Sequence, residues 1–390
     1  MATHAAARRP VTSYYSRGFR TWSAVLAVVL LLGLYSFYVQ TVEGHYLSGL
    51  NDLLPWGLYI SGFVFFVGAS AGATLIGLLI HAFGRTDYAP LGTRAILIGL
   101  LSLMAAVLFI TADVGSIPRM MGLPWLYRNF TSMFTYTSLT YYFFGALLLA
   151  ELYFTIKINQ GRATPRDRQW AKWLAIAAVP FALVVVHAPH GALFAVVKAR
   201  EFWNNPLLPP HFAVVALVTG TAIMILIATL TSFFSRRELV SSSTLSHMGM
   251  LLAFFIGAAA FLDFFDFLVF SYSDEPAGNM AWYYLSAANL PFSVLHVGGY
   301  IVALAILLFR RGNPTTWVSI AAAVAIVAVA AYRYNLTVVG VSVPLFPFLP
   351  AQSYVPSWTE ISVAAGIIAL VLLAYSVLTR VIPVEEKGAA

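Results

Sequence analysis

Ten stretches of this chain are long and apolar enough to cross a lipid bilayer, and no other feature limits the fold as strongly. A spanning helix needs about 20 mainly apolar residues, because in hydrocarbon every backbone N–H and C=O must be satisfied within the protein. The stretches are residues 21–39, 55–82, 94–114, 134–157, 170–197, 211–234, 246–272, 282–309, 316–334 and 360–382. Composition agrees: 60% of residues are hydrophobic and 9% are charged, against about 25% charged in an ordinary soluble domain. The expected fold is therefore an all-α integral membrane protein, with a ten-helix transmembrane domain over 21–382 and short tails at 1–20 and 383–390. The chain has no Cys, which excludes disulfides, thiolate metal sites and Cys-ligated iron–sulfur clusters. Its net charge of +7 lies between apolar runs and forms no patch, so the expected surroundings are lipid and not nucleic acid. The first run lacks a convincing cleavage site ahead of it and is read as a retained helix, with Arg8-Arg9 not taken as a twin-arginine signal.

The runs are not alike. The first and the last two are plain Ala/Val/Leu/Ile helices, while the middle seven carry the Gly, Pro, His and acidic residues. This predicts a functional bundle of helices 2–8 with peripheral helices 1, 9 and 10; no internal repeat stands out. Orientation follows from the Lys/Arg bias of the connections. Of the 22 basic residues, all but Arg119, Arg128, Lys198, Arg200 and Arg333 fall on the side of the N-terminus, which predicts that both termini face the cytoplasm. The outer connections are longer and aromatic, as in "GSIPRMMGLPWLYRNF" (115–130) and "TVVGVSVPLFPFLPAQSYVPSW" (337–358). Interfacial anchoring accounts for most such aromatics, and a docking surface for a partner protein is the other expectation.

Ionisable residues inside a span are scarce and usually face a bundle interior or a cavity. They are Asp113 in the third run, Glu151 in the fourth, His187 and His190 in the fifth, Asp263 and Asp266 in the seventh, and His296 in the eighth. His81 and His247 fall at cytoplasmic ends. At about 1.5 Å per residue, Glu151 lies roughly 9 Å, His187 about 22 Å and Asp263 about 24 Å from the cytoplasmic face, with His296 near mid-span and Asp113 at the outer end. Such successive depths are the layout a proton relay requires. A lone buried acid can also serve packing alone, by bonding a backbone carbonyl in its neutral form. Asp263 and Asp266, three residues apart, share a helix face and could form one site.

Three functions would use this set. A quinone site needs an apolar cleft, hydrogen-bonding groups for the head group and a proton supply; "NDLLPWGLYISGFVFFVGASAGA" (51–73) offers a wall, with Trp56 and Tyr59 at the outer boundary. Its small residues Gly68 to Gly72 are more commonly a helix-packing surface. A b-type haem would need facing histidines, for which His187 and His296 are at comparable depth. A secondary transporter would show inverted repeats or paired broken helices, which do not stand out.

The stretches "LPWGLYISGFVFFVGASAGA" (54–73), "FITADVGSIPRMMGLP" (109–124), "LLAELYF" (148–154), "VKAREFWNNPLLPPHFAVVALVTG" (197–220), "YRYN" (332–335) and "YVPSWTEISVAAG" (354–366) together carry a resemblance. The chain resembles the NrfD/PsrC family of quinone-interacting membrane subunits, and within it the ten-helix, HybB-like form. The resemblance implies menaquinone or ubiquinone bound near the outer face, with no haem or iron–sulfur cluster in this chain. It implies a periplasmic ferredoxin-like 4Fe-4S subunit as electron partner, and a catalytic subunit of hydrogenase or of sulfur-compound, molybdopterin type. It places the chain in a bacterial or archaeal cytoplasmic (inner) membrane, active in catalysis only within a complex. Asp113 matches the family's acid near the quinone pocket, and Glu151 and His187 match positions linked to proton movement. The spacing of "VHAPHG" (186–191) leaves open which of His187 and His190 is the counterpart. The expected quinone site is thus Trp56, Tyr59, Asp113, His187 and His190. The expected proton path is Glu151, His187, Asp263 and His296, and no metal is expected.

Overall fold

The computed structural model describes residues 17–116, 118, 120, 122, 129–272, 276–346, 348–350 and 352–385. Among them ten helices are long and apolar enough to span a membrane. They are α1 (Arg17–Glu43), α2 (Leu58–His81), α3 (Thr86–Val114), α4 (Met133–Asn159), α5 (Pro165–Ala195), α6 (Leu208–Ser235), α7 (Ser242–Tyr272), α8 (Leu290–Phe309), α9 (Pro314–Ser342) and α10 (Trp358–Val381). An even number of crossings brings Arg17 and Val381 to one face of the bundle, the terminal face; the opposite one is the distal face. The expected multi-pass, all-α architecture is what the chain builds.

Helix ends follow local chemistry. α5 and α10 each begin with a reciprocal capping box, Thr164 with Asp167 and Ser357 with Glu360, which satisfies orphan N–H groups of the first turn. α8 starts later than expected: Pro291 in its first turn suits a helix start. Residues of the expected run ahead of it form a distal helix, Pro276–Tyr283, and a π turn, Tyr284–Ala288.

α1 and α10 pair at the periphery, where a Cβ on Gly33 would lie 2.6 Å from Gly366 Cα. α9, expected at the periphery, is instead central. It packs against α2, α6, α7 and α8, and every residue from Ala331 to Ser342 is buried. It also runs eight residues past the expected end, so Arg333 is not an outer-loop cation but a side chain 1% exposed inside the bundle. Trp203 and Arg200 hold this extension. Trp203 Nε1 donates to Leu336 O at 2.7 Å, and Arg200 Nη1 donates to the carbonyls of Gly340, Val341 and Val343 at 2.8–3.0 Å. Trp203 lies where a Cβ on Gly340 would sit, 2.0 Å from its indole nitrogen.

The eight inner helices form two consecutive four-helix sets, α2–α5 and α6–α9, with the same order of directions. The first helices of each set cross with backbones touching: a Cβ on Gly72 would fall 1.9 Å from Ala216 O, and one on Gly220 2.1 Å from the Gly72 carbonyl carbon. The last helices of each set meet where Arg333 touches His187.

Three helices are irregular at functional depth. α2 breaks at Thr74, whose hydroxyl turns back to Ala71 O at 2.7 Å. α5 continues past Pro180 as a π turn, Phe181–His187, and α8 carries another, Val294–Gly298, three residues after Pro291. Proline removes an N–H and crowds the preceding turn, and a widened turn accommodates both. His187 and His296 each stand on such a turn.

Candidate functional site

Polar side chains gather in three places between the distal face and mid-bundle. The first is a cleft of about 330 Å³ at the distal face, lined by His45, Tyr46, Leu50, Asn51, Asp52, Pro55 and Asp113. Asp113 ends α3, and Gly115, at φ +70°, caps that end in the left-handed conformation while the His45 ring packs over it. Asp113 Oδ1 is buried and among the described residues has no hydrogen-bond partner. Beside it, Gln40 Nε2 donates to Ala112 O at 2.9 Å, and the Tyr59 hydroxyl donates to Gln40 Oε1 at 2.6 Å. These two bonds tie α1 and α2 to the end of α3.

The start of α2 is fixed from the other end of the chain. The Tyr354 hydroxyl accepts from Leu58 N at 2.8 Å and donates to the fully buried Glu360 at 2.5 Å. Glu360 also accepts from Gly49 N and Ser357 N, at 2.7 and 2.9 Å. Burial and the Glu360 carboxylate hold the Tyr354 phenol well above its ordinary value, so it remains a donor. Gly57 is needed because a Cβ there would meet the Tyr354 ring at 2.3 Å.

The second place is an imidazole pair on α5. His187 and His190 are both buried, with rings 6.2 Å apart. The Tyr141 hydroxyl of α4 meets His190 Nδ1, and Phe63 packs edge-on against His190. His187 Nε2 lies 3.3 Å from Arg333 Nη2. Trp56 does not line the distal cleft; it packs tilted against Trp203 and edge-on against Phe194, and Phe194 continues through Phe212 to His187 as an aromatic column.

The third place joins α6, α7, α8 and α9. Asp263 Oδ1 is 3.3 Å from His211 Nε2 and its Oδ2 is 3.2 Å from His296 Nε2. His211 Nδ1 lies 3.1 Å from the Tyr332 hydroxyl. Direct N···O contacts leave no space for an ion between these groups, and among the described residues no set of three His, Cys, Asp or Glu is disposed to hold a metal.

The structure thus brings Tyr59 and Asp113 to one end of α3, His187 and His190 together on α5, and Asp263 and His296 into contact. His187 and His296 face Arg333 and Asp263 respectively, not each other. Glu151 is buried against Gly77, next to the break in α2, and among the described residues forms no hydrogen bond or ion pair with the histidines. Asp266 accepts from the Asn205 side chain and does not share the Asp263 contacts. His81 and His247 are at the terminal face, where Arg85 reaches His247 Nδ1 at 3.0 Å. Gln40, His45, His211, Arg333 and Glu360 are site residues that sequence reasoning missed. His211 was open to detection: Pro209-Pro210 suit a first helical turn, so a His directly after them is already inside the helix.

This arrangement defines a multi-pass membrane protein with an open polar cleft at one face and closed polar contacts at depth. The chain matches the NrfD polysulphide reductase family over residues 47–344, and it belongs to that family. It is 27% identical to a selenate reductase subunit of Mesobacillus selenatarsenatis, over 94% of this chain and 95% of that one. It is 26% identical to the Hdr-like menaquinol oxidoreductase integral membrane subunit of Archaeoglobus fulgidus, over 90% of each. A solved structure of bd oxidase from Geobacillus thermodenitrificans shares the fold, with a TM-score of 0.58 at 13% identity, over 90% of this chain and 97% of that one.

Proposed function

We propose that this chain is the membrane subunit of a quinone-linked oxidoreductase complex, with the quinone head group entering the distal cleft beside Asp113. The observation that carries the reading is the buried Asp113 Oδ1, without a hydrogen-bond partner among the described residues, in the wall of a cleft that otherwise offers Leu50 and Pro55 as apolar surface and His45 and Asn51 as polar contacts. That mixture suits a head group with two polar oxygens on an apolar ring. The names of relatives support it, one being a menaquinol oxidoreductase subunit.

Bound menaquinone or ubiquinone supplies the redox chemistry, taking up two electrons and two protons on reduction and releasing them on oxidation. Asp113 holds or releases a proton at the head group. His45 and Asn51 orient it, and Tyr59 acts through Gln40 by fixing the helix end that carries Asp113. Trp56 and the aromatic column exclude water between the cleft and His187. Glu151, His187 with His190, Asp263 and His296 form the proton path toward the terminal face. Electrons are exchanged at the distal face with a periplasmic ferredoxin-like 4Fe-4S subunit, itself attached to a catalytic subunit of hydrogenase or sulfur-compound, molybdopterin type. The terminal face is cytoplasmic in a bacterial or archaeal inner membrane, in keeping with Arg85, Arg94, Lys157, Arg236, Arg237, Arg310, Arg311 and Arg380 on that side. Charge moved across 100 mV is worth about 2.3 kcal/mol per proton, enough to link turnover to the membrane potential.

The test is Asp113→Asn in the assembled complex. Quinol-dependent turnover should fall roughly 100-fold, the scale of a lost proton-transfer group, with assembly unchanged. Turnover equal to wild type would remove Asp113, and with it this cleft, from the reaction.

A further inference from the structure

Arg333 is an anomaly for a bundle at this depth. Its side chain is 1% exposed, and among the described residues its Nε and Nη1 atoms have no hydrogen-bond partner. A charge in the hydrocarbon region is expensive unless compensated. Its contacts define its position. The guanidinium carbon is 4.1 Å from the Phe212 ring centroid and 5.1 Å from that of Tyr332, and Nη2 is 3.3 Å from His187 Nε2.

The neighbours of these contacts in the chain are equally informative. His211, directly before Phe212, faces Asp263, and Tyr332, directly before Arg333, bonds His211. One turn of α6 and one of α9 therefore form a bridge. On one side stand His187 and His190; on the other, His211, Asp263 and His296, with Tyr300 packed edge-on to His296. Within this group Asp263 is the acid and Arg333 the base that is always charged; among the described residues no direct ion pair joins them, and His211 and Tyr332 stand between.

The contact with His187 has a chemical consequence. A guanidinium has only donors, so His187 Nε2 must be the acceptor. His187 is then a neutral imidazole with its proton on Nδ1, and Nε2 cannot take a proton while Arg333 occupies it. Beyond the Phe212 and Tyr332 rings, the guanidinium has no other hydrogen-bonded anchor among the described residues.

We propose that Arg333 is a positioning residue that gates His187: it fixes the tautomer of that imidazole, is charge-balanced by Asp263, and must leave Nε2 before His187 can pass a proton. This rests on the quinone and proton-path reading above for its consequence in turnover, but not for the charge pairing. When Arg333 moves off Nε2, its positive charge shifts within the α6–α9 layer, and protonation at His187 becomes coupled to the state of Asp263 and its two histidines. The movement of Arg333 makes and breaks only hydrogen bonds, while the relay itself forms an N–H bond at Nε2 and breaks the one at Nδ1.

The experiment compares Arg333→Met, Asp263→Asn and the double variant in the full complex, reconstituted in liposomes with a soluble menaquinol analogue. Each single variant leaves one charge unbalanced, and the assembled amount should fall at least about fivefold. The double variant is neutral again and should recover to within about twofold of wild type. Recovery only in the double supports the charge pairing; singles that assemble like wild type, or a double no better than the singles, overturn it. The second readout is net proton translocation per two electrons in Arg333→Lys, which keeps the charge and leaves Asp263 intact but lacks the planar guanidinium that holds Nε2. In that variant quinol oxidation should continue within a few-fold of wild type, while net translocation falls at least about twofold because an ungated His187 lets protons return. Unchanged net translocation overturns the gate. A wild-type complex without quinol-dependent turnover would defeat the quinone reading, and the assembly comparison would still judge Arg333.

Discussion

In the α2–α5 set the two acids away from the helix starts stand alone: among the described residues Asp113 has an oxygen without a hydrogen-bond partner at the rim of an open cleft, and Glu151 lies against Gly77 with no partner of opposite charge. In the α6–α9 set Asp263 is clasped by His211 and His296, with Tyr332 behind and Arg333 one residue further on. The two sets have the same order of helices, so the contrast comes from what each leaves exposed. An acid next to a cleft can exchange protons with whatever enters it. An acid between two imidazoles is held by the protein, and its replacement leaves those partners unmatched. Isolation suits exchange, and mutual engagement suits order.

That contrast can be broken at several points. The largest effect is expected from Asp263→Ala, which strips His211 and His296 of their partner and leaves Arg333 unbalanced. It should destabilise the chain by about 3–5 kcal/mol, whereas Asp113→Ala should cost less than about 1 kcal/mol. Unfolding in detergent measures both, and equal losses would erase the distinction between the sets. Gly72→Leu comes next, because its side chain has no space against Ala216 and Gly220. An overpacking loss of about 1–3 kcal/mol is expected in the same assay, shared by both sets because the contact belongs to both. Glu151→Gln should leave unfolding near wild type and lower quinol-linked turnover roughly tenfold, about 1.4 kcal/mol in activation free energy. Full turnover with full net proton translocation would take Glu151 off the path. Tyr59→Phe is the smallest change: one hydrogen bond to Gln40, about 1 kcal/mol of stability, with a modest rise in KM for the quinol if the end of α3 loosens.

The sequence displays the ten crossings plainly, because length and hydropathy alone define them. It displays the site unevenly. Asp113, Glu151, His187, His190, Asp263 and His296 are conspicuous as ionisable groups in apolar runs. Arg333 reads as a cation at the outer end of a span when α9 is cut at residue 334, while the real helix continues through "LTVVGVS" to Ser342. The signal for that extension lies in Arg200 and Trp203, far away in sequence, which supply the groups that hold its carbonyls. Glu360 reads as a helix-start residue, and it is one, yet its second role at Gly49 and Tyr354 depends on a contact across most of the chain. His45 and Gln40 precede the run that carries the resemblance most clearly and have no pattern of their own. Which imidazole meets which acid is set by side-chain direction across several helices, and no spacing along the chain encodes it.

The meeting of Gly72 with Gly220 has a mechanical meaning. Two helices whose main chains touch have no soft layer of side chains between them, so neither can be pushed toward the other. Relative motion of the halves is left with rotation about that point, like blades on a rivet, with displacement growing toward either surface. A ligand that wedges the distal rim apart would move the opposite rim as well, without any wire of side chains between.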